Sequence, residues 1–206
     1  MCTWLAVETI SYFNRNGSSV YSCLMDMSKA FDTVKHSILF QKLIKQGVPP
    51  IIVRFILVSY KLQKANVRWN NELSRFFTIS NGVKQGAIMS AVLYCVYTND
   101  LFRDLRRTKI GCTIGHVYVG CLGYADDILL MSPSLDGLQN MLGVCEIYAE
   151  RHNLSFSTNI NTNKSKTKCI AFSAKEEDLP KMKLSGNYLP YAFSIISHQY
   201  VLIIFR

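Results

Sequence analysis

The residues best suited to chemistry lie in Cys121–Met131, C-L-G-Y-A-D-D-I-L-L-M, where the adjacent carboxylates Asp126 and Asp127 separate two apolar runs. Side-by-side carboxylates repel each other and become useful when cations hold both ionised. Their hard oxygen donors suit magnesium, which keeps several waters and a substrate's phosphates in its shell. Asp is also a common turn residue, so this pair by itself leaves a plain turn open. A third carboxylate, Asp26, ends a second β-prone apolar run within Val20–Met27, V-Y-S-C-L-M-D-M. Three carboxylates at one sheet end would hold two cations about 3.5–4 Å apart, the spacing used for in-line phosphoryl displacement. One ion would activate the attacking oxygen and the other would stabilise a leaving pyrophosphate.

Carboxylates can converge in this way only if rigid strands carry them. The apolar runs around Asp126 and Asp127 read as a tight hairpin with the pair at its tip, and Val20–Asp26 would pair beside it. Adjacent strand residues point to opposite faces, which makes Asp126 the firmer ligand and leaves Asp127 supporting or outward. Apolar spacing predicts a helix over 3–16, then a turn at Asn16-Gly17-Ser18-Ser19. A helix around 37–46 stops at Gly47, with Pro49-Pro50 beyond. Pro50 opens another, apolar almost all round through Leu62, which implies burial. Residues 108–120 read as strands, and 134–151 as a helix with Leu135, Leu138, Met141, Leu142, Cys145 and Tyr148 on one face.

At 206 residues, 49% of them hydrophobic, the chain is long enough for one substantial core and is no disordered tail. Its formal charge of +9 favours a polyanionic partner such as nucleic acid. Seven cysteines, with no C-x-x-C spacing, argue against a zinc site and against a secreted disulfide framework. An intracellular, reducing compartment follows as the expectation. No signal peptide is expected, and the most apolar run, Ile51–Tyr60, is too short for a bilayer and contains Arg54, so no membrane partner is expected.

Between the third and fourth helices, Lys61–Phe77 interleaves Lys64, Arg68, Trp69 and Arg75 with β-prone residues. A β-ribbon with cations and aromatics suits a template strand, through phosphate contacts and stacking. A solvated hairpin whose aromatics face the core has the same pattern. Arg103, Arg106 and Arg107, near the end of the helix that follows, complement its dipole or contact nucleic acid.

Y-A-D-D at 124–127, D-M-S-K-A-F-D at 26–32 and G-V-K-Q-G at 82–86 resemble three successive motifs of reverse transcriptases, in order and spacing. The S-K-A-F-D wording is most similar to the non-LTR (LINE-type) retrotransposon enzymes, and the match covers about residues 5–175. The resemblance implies an α+β polymerase palm with partial fingers: a ferredoxin-like antiparallel sheet, backed by helices, that carries Asp26, Asp126 and Asp127 as catalytic metal ligands. It implies an RNA template, a DNA primer, dNTPs and two Mg2+ ions (Mn2+ possible), and nuclear work. Phe31 would lie under the incoming sugar and exclude a 2′-hydroxyl, or else be core. Gln85 and Gly86 would cradle the nucleotide. Lys166, in N-K-S-K-T-K-C-I-A-F, matches a lysine near the leaving pyrophosphate that could act as general acid, although Lys164 and Lys168 are equally basic.

Three departures qualify the resemblance. Ala87 and Ala91 stand where the family usually has Gly or Ser and Pro. Only about 25 residues precede Asp26, fewer than the family's fingers region, so an N-terminally truncated fragment lacking fingers and thumb segments is expected. After the palm at 1–175, residues 176–206 read as a divergent or truncated tail. The expected function is therefore RNA-directed DNA polymerase, with an inactive retroelement remnant or a nucleic-acid-binding module as the alternative.

Overall fold

A computed structural model describes residues 2–84, 86–158, 166–174 and 179–191. In chain order the elements are α1 (Cys2–Arg15), β1 (Val20–Asp26), α2 (His36–Lys45), α3 (Pro50–Lys61), β2 (Lys64–Ala65), β3 (Arg68–Trp69), β4 (Glu72–Leu73) and β5 (Phe77–Thr78). There follow α4 (Ile88–Thr108), β6 (Thr113–Ile114), β7 (Val117–Tyr118), β8 (Cys121–Tyr124), β9 (Asp127–Ser132), α5 (Leu135–His152), β10 (Lys168–Phe172), β11 (Lys183–Leu184) and β12 (Asn187–Tyr188). The chain forms two compact units, one of residues 1–28 and 100–206, the other of residues 29–99. No helix among the described residues is long and apolar enough to cross a membrane.

The first unit is built on a four-stranded sheet in the order β10-β1-β9-β8, antiparallel throughout. Strand β1 is short and β-branched or apolar at most positions, and it is buried because it pairs on both edges. Alternation divides the sheet into two faces. Val20, Leu129 and Met131 pack with Ala6 and Ile10 of α1, whose apolar positions recur at helical spacing. Cys23, Leu130 and Cys169 share the other face, towards Cys145 of α5. Helix α5 buries Leu138, Met141, Leu142, Cys145 and Tyr148, the stripe that its spacing predicts. Ser134 caps it by accepting from Gly137 N at 3.1 Å, and Asn153 ends it in the left-handed conformation.

The second unit holds α2, α3, the first part of α4 and two small ribbons, β2–β5 and β3–β4. Helix α3 departs from the all-round burial expected of it. Only Val53, Ile56 and Tyr60 are buried, whereas Ile51, Phe55 and Leu62 are 70–74% exposed. Its buried positions fall at i, i+3 and i+7, one stripe of a surface helix; apolar composition alone did not distinguish that from a core helix. The aromatics of the ribbon region also point outward, with Trp69 77% exposed and Phe76 and Phe77 exposed.

Candidate active site

The site is set by strand register. Strands β8 and β9 form the expected hairpin, closed by the pair Tyr124↔Asp127, with Ala125 and Asp126 as its two turn residues. Ala125 takes φ +56°, a left-handed conformation that tight hairpin turns demand and that an L-residue adopts at a cost of about 1–2 kcal/mol. On the neighbouring strand, Asp26 is the direct partner of Asp127. Directly opposed residues of an antiparallel pair point to the same face. Asp127 is thus turned towards Asp26, where strand alternation from Asp126 had suggested an outward side chain. The reason is that Asp126 belongs to the turn, and the alternation begins at Asp127.

Electrostatics follow from that crowding. Burial is the main cause that raises the Asp127 carboxyl above its ordinary value, and the charges of Asp126 and then Asp26 raise it further, with Lys166 opposing them. Lys166 Nζ lies 3.4 Å from Asp26 Oδ1; its side chain is 72% exposed and that of Asp26 only 17%. Among the described residues no three His, Cys, Asp or Glu side chains close far enough to hold one metal ion together. Of the three lysines weighed from sequence, Lys166 is the one at Asp26. Lys168 is exposed at the start of β10, and Lys164 lies outside the described residues.

Thr167, which the resemblance pairs with Lys166, and Ser157, which sequence reasoning passed over, hold Asp26 in place. Its amide donates to Thr167 Oγ1 at 3.3 Å, and Thr167 is fully buried. Its carbonyl accepts from Ser157 N at 2.9 Å, and Met27 bridges Phe156. The match of Lys166-Thr167 to the family's Lys-Thr pair was the signal for Thr167, and nothing local in the sequence marks Ser157.

The other candidates belong to the second unit. Phe31 is half-buried, with its ring 5.0 Å from the fully buried Tyr94 and tilted by 41°. The Phe31 carbonyl accepts from Val83 N at 2.7 Å, and Gly82 N donates to Val34 O at 2.8 Å. Gly82 takes φ +87°, which L side chains rarely adopt, and a Cβ there would crowd Phe31 O and Asp32 O at 3.1 Å. His36 Nε2 lies 2.7 Å from Gly82 O, and a carbonyl only accepts, so this nitrogen carries the proton. His36 also packs edge-on against Tyr60. The start of the G-V-K-Q-G loop is thereby stapled to the segment that carries Phe31. Gly86 is exposed at φ +80°, Ala87 is exposed, Ala91 sits in the first turn of α4, and Gln85 lies outside the described residues. Lys64, Arg68 and Arg75 are exposed with Trp69 on or beside the ribbons.

Known proteins share both sequence and fold with this chain. It is 26% identical over 174 residues to the Pol polyprotein of the type-2 retrotransposable element R2DM of Drosophila melanogaster, covering 84% of the chain and 15% of that protein. It is 28% identical over 185 residues to the RNA-directed DNA polymerase of the mobile element jockey of Drosophila funebris, covering 87% of the chain and 18% of that protein. These are non-LTR retrotransposon polymerases, and the chain spans less than a fifth of their length. The solved structure of Candida albicans telomerase, in complex with a fragment of telomeric RNA, superposes with a TM-score of 0.60 at 14% identity, covering 92% of this chain and 32% of that one. That likeness shows the α+β polymerase palm. A reverse transcriptase (RNA-dependent DNA polymerase) profile matches residues 3–193, a stretch that contains the carboxylate hairpin, its facing strand and Lys166. Such enzymes use divalent metal ions. By that match, over most of its length, the chain belongs to the reverse transcriptase family.

Proposed function

We propose that this chain carries the polymerising centre of a reverse transcriptase, adding deoxynucleotides to a primer 3′-hydroxyl as an RNA template directs. The observation that carries the reading is the facing of Asp26 and Asp127 across β1 and β9, with Asp126 in the adjoining turn and Lys166 beside Asp26. The donor set is all carboxylate oxygen at one sheet end, which fits hard divalent cations. Asp26, Asp126 and Asp127 would hold two Mg2+ ions, with Mn2+ as a substitute. When bound, such ions lower the pKa of an attacking hydroxyl and neutralise a departing pyrophosphate.

In the reaction a bond forms between the primer 3′-oxygen and the α-phosphorus, and the bond to pyrophosphate breaks. The hydroxyl loses a proton and pyrophosphate gains one, for which Lys166 Nζ is the proposed donor. Phe31, Gln85 and Gly86 are the proposed contacts of the incoming dNTP. The exposed Lys64, Arg68, Trp69 and Arg75 are the proposed contacts of the template strand.

A second reading, nucleic-acid binding without turnover, is favoured by one observation: Lys166 already engages the Asp26 carboxylate. Primer extension on poly(rA)·oligo(dT) with Mg2+ or Mn2+, run beside filter binding of the same duplex, separates the two. Extension that disappears in Asp126→Asn supports the enzyme. Retention of the duplex without extension supports the binding module.

A further inference from the structure

Within the first unit, the C-terminal half of α4 and the C-terminal half of α5 enclose an open groove of about 500 Å3. That volume lies in the range of roughly 300–1,000 Å3 in which ligand pockets are found. Three guanidinium groups line it, from Arg103 and Arg107 on α4 and Arg151 on α5. Apolar and aromatic side chains share the lining: Ile147 is exposed, and the ring of half-buried His152 lies flat on that of Tyr148, 3.9 Å away with an interplanar angle of 13°. Asp100 and Asp104 also line the groove, bridging Arg103 at 3.4 Å and Arg107 at 3.6 Å. These are exposed i,i+3 pairs, which hold little in water, and each uses one edge of a guanidinium with five donors. Arg151 has no ion pair among the described residues.

Helix dipoles account for some of these cations, since all three lie towards the C-terminal ends of their helices. The dipole does not explain why the arginines of two helices converge on one groove, nor why a stacked ring pair lies among them. Guanidinium groups beside an aromatic pair and apolar side chains meet two needs of a single strand: phosphate neutralisation and a platform for an unpaired base. Arg also matches phosphate geometry with two parallel donors, where a lysine offers a point charge.

We infer that the α4–α5 groove binds a single-stranded nucleic-acid segment, with Arg103, Arg107 and Arg151 on its phosphates and His152, backed by Tyr148, under one base. The groove lies on the α5 side of the sheet, whereas Asp26 and Asp127 continue the face that α1 covers, so the strand held here is distinct from the one at the carboxylates.

The test is fluorescence anisotropy of a labelled oligo(U) 12-mer RNA titrated with the whole chain over a series of salt concentrations. The variants are the triple Arg103→Gln/Arg107→Gln/Arg151→Gln, the single His152→Ala, and Lys64→Gln/Arg68→Gln/Arg75→Gln as a comparison in the other unit. Each arginine–phosphate pairing removed should lower the slope of log K against log salt by about 0.7, so the triple variant is shallower by about 2 and binds roughly tenfold or more weakly at 0.1 M salt. His152→Ala should weaken binding about tenfold with its salt slope unchanged, because stacking releases no counterions. The substituted arginines are exposed, and circular dichroism confirms that the variants keep their helices. Affinity and slope unchanged in the folded triple variant overturn the inference, as does a wild-type chain that binds no oligo(U). Weakening confined to the ribbon variant overturns it too, while leaving the polymerase reading intact.

Discussion

Asp26 on β1 and Asp127 on β9 stand directly opposite each other, so two carboxylates share one face of the central strand pair. The crowding sets a sign for pH dependence. The folded state holds the Asp127 proton more tightly than the unfolded chain does, because burial, Asp126 and Asp26 all penalise its charge. Above the ordinary value of 3.8, the folded chain therefore binds more protons than the unfolded one, and stability falls as pH rises through that window. Asp127→Asn should unfold at a higher temperature than wild type at pH 7, with the gap closing as pH is lowered towards 4. The same variant should lose primer extension. An identical melting temperature at pH 7 would count against the electrostatic account.

The turn that presents Asp126 carries its own strain at Ala125, exposed at φ +56°. Ala125→Gly frees that backbone, less the extra flexibility that glycine gives the unfolded chain. The expected gain is at most about 1 kcal/mol, equivalent to roughly 2–4 °C in a chain of this size. Differential scanning calorimetry measures it, and a lower melting temperature would show that Ala125 is not strained.

His36 is expected to position the G-V-K-Q-G loop. His36→Ala deletes the hydrogen bond to Gly82 O and the packing on Tyr60, and the bond alone is worth about 0.5–1.5 kcal/mol. Hydrogen exchange at the amides of Gly82 and Val83 should quicken in this variant. His36→Gln keeps a side-chain donor and should restore most of the protection. Equal exchange in all three proteins would remove His36 from this role.

Phe31 offers a test of sugar selection in the full-length protein. If its ring lies under the incoming deoxyribose, Phe31→Val should raise kcat/KM for ribonucleotides relative to deoxynucleotides. Its contact with Tyr94 contributes about 0.5–1.5 kcal/mol beyond area burial, so some loss of stability comes with the change. Equal losses on both nucleotides with an unchanged ratio would assign the residue to packing alone.

The seven thiols should differ sharply in reactivity. Cys95 is exposed, whereas Cys23, Cys112, Cys145 and Cys169 are buried, and burial pushes the Cys112 thiol up to about 12. A few minutes of iodoacetamide at pH 8 should label Cys95 and spare those four, as read by peptide mass spectrometry. Labelling of Cys145 in the native chain would contradict the burial of α5.

Much of the fold was legible in the sequence where its signals are local. Leu138, Met141, Leu142, Cys145 and Tyr148 recur at helical spacing and are the residues α5 buries. Gly47 ends α2 in a left-handed turn, as a glycine followed by two prolines predicts. What was not legible depends on tertiary placement. Helix α3 reads as apolar nearly all round, and only its surroundings make Ile51 and Phe55 exposed. The facing of Asp127 and Asp26 depends on the residue at which the turn ends and alternation begins, a one-residue matter on which every side-chain direction in β9 turns. The hydrogen bond from Asp26 N to Thr167 crosses 141 positions, beyond the reach of any periodicity.

That separation also governs the order in which the site can come into being. Strand β1 leaves the ribosome well before its partners, since β9 and β10 and the neighbours Lys166 and Thr167 are synthesised more than a hundred residues later, Lys166 being 140 positions from Asp26. Until they emerge, an apolar strand destined for the centre of the sheet has both edges open, the condition under which chains pair with the wrong partner. The carboxylate centre is then among the last parts of the first unit to assemble, and slow translation through 127–172 would prolong the interval in which β1 needs a chaperone.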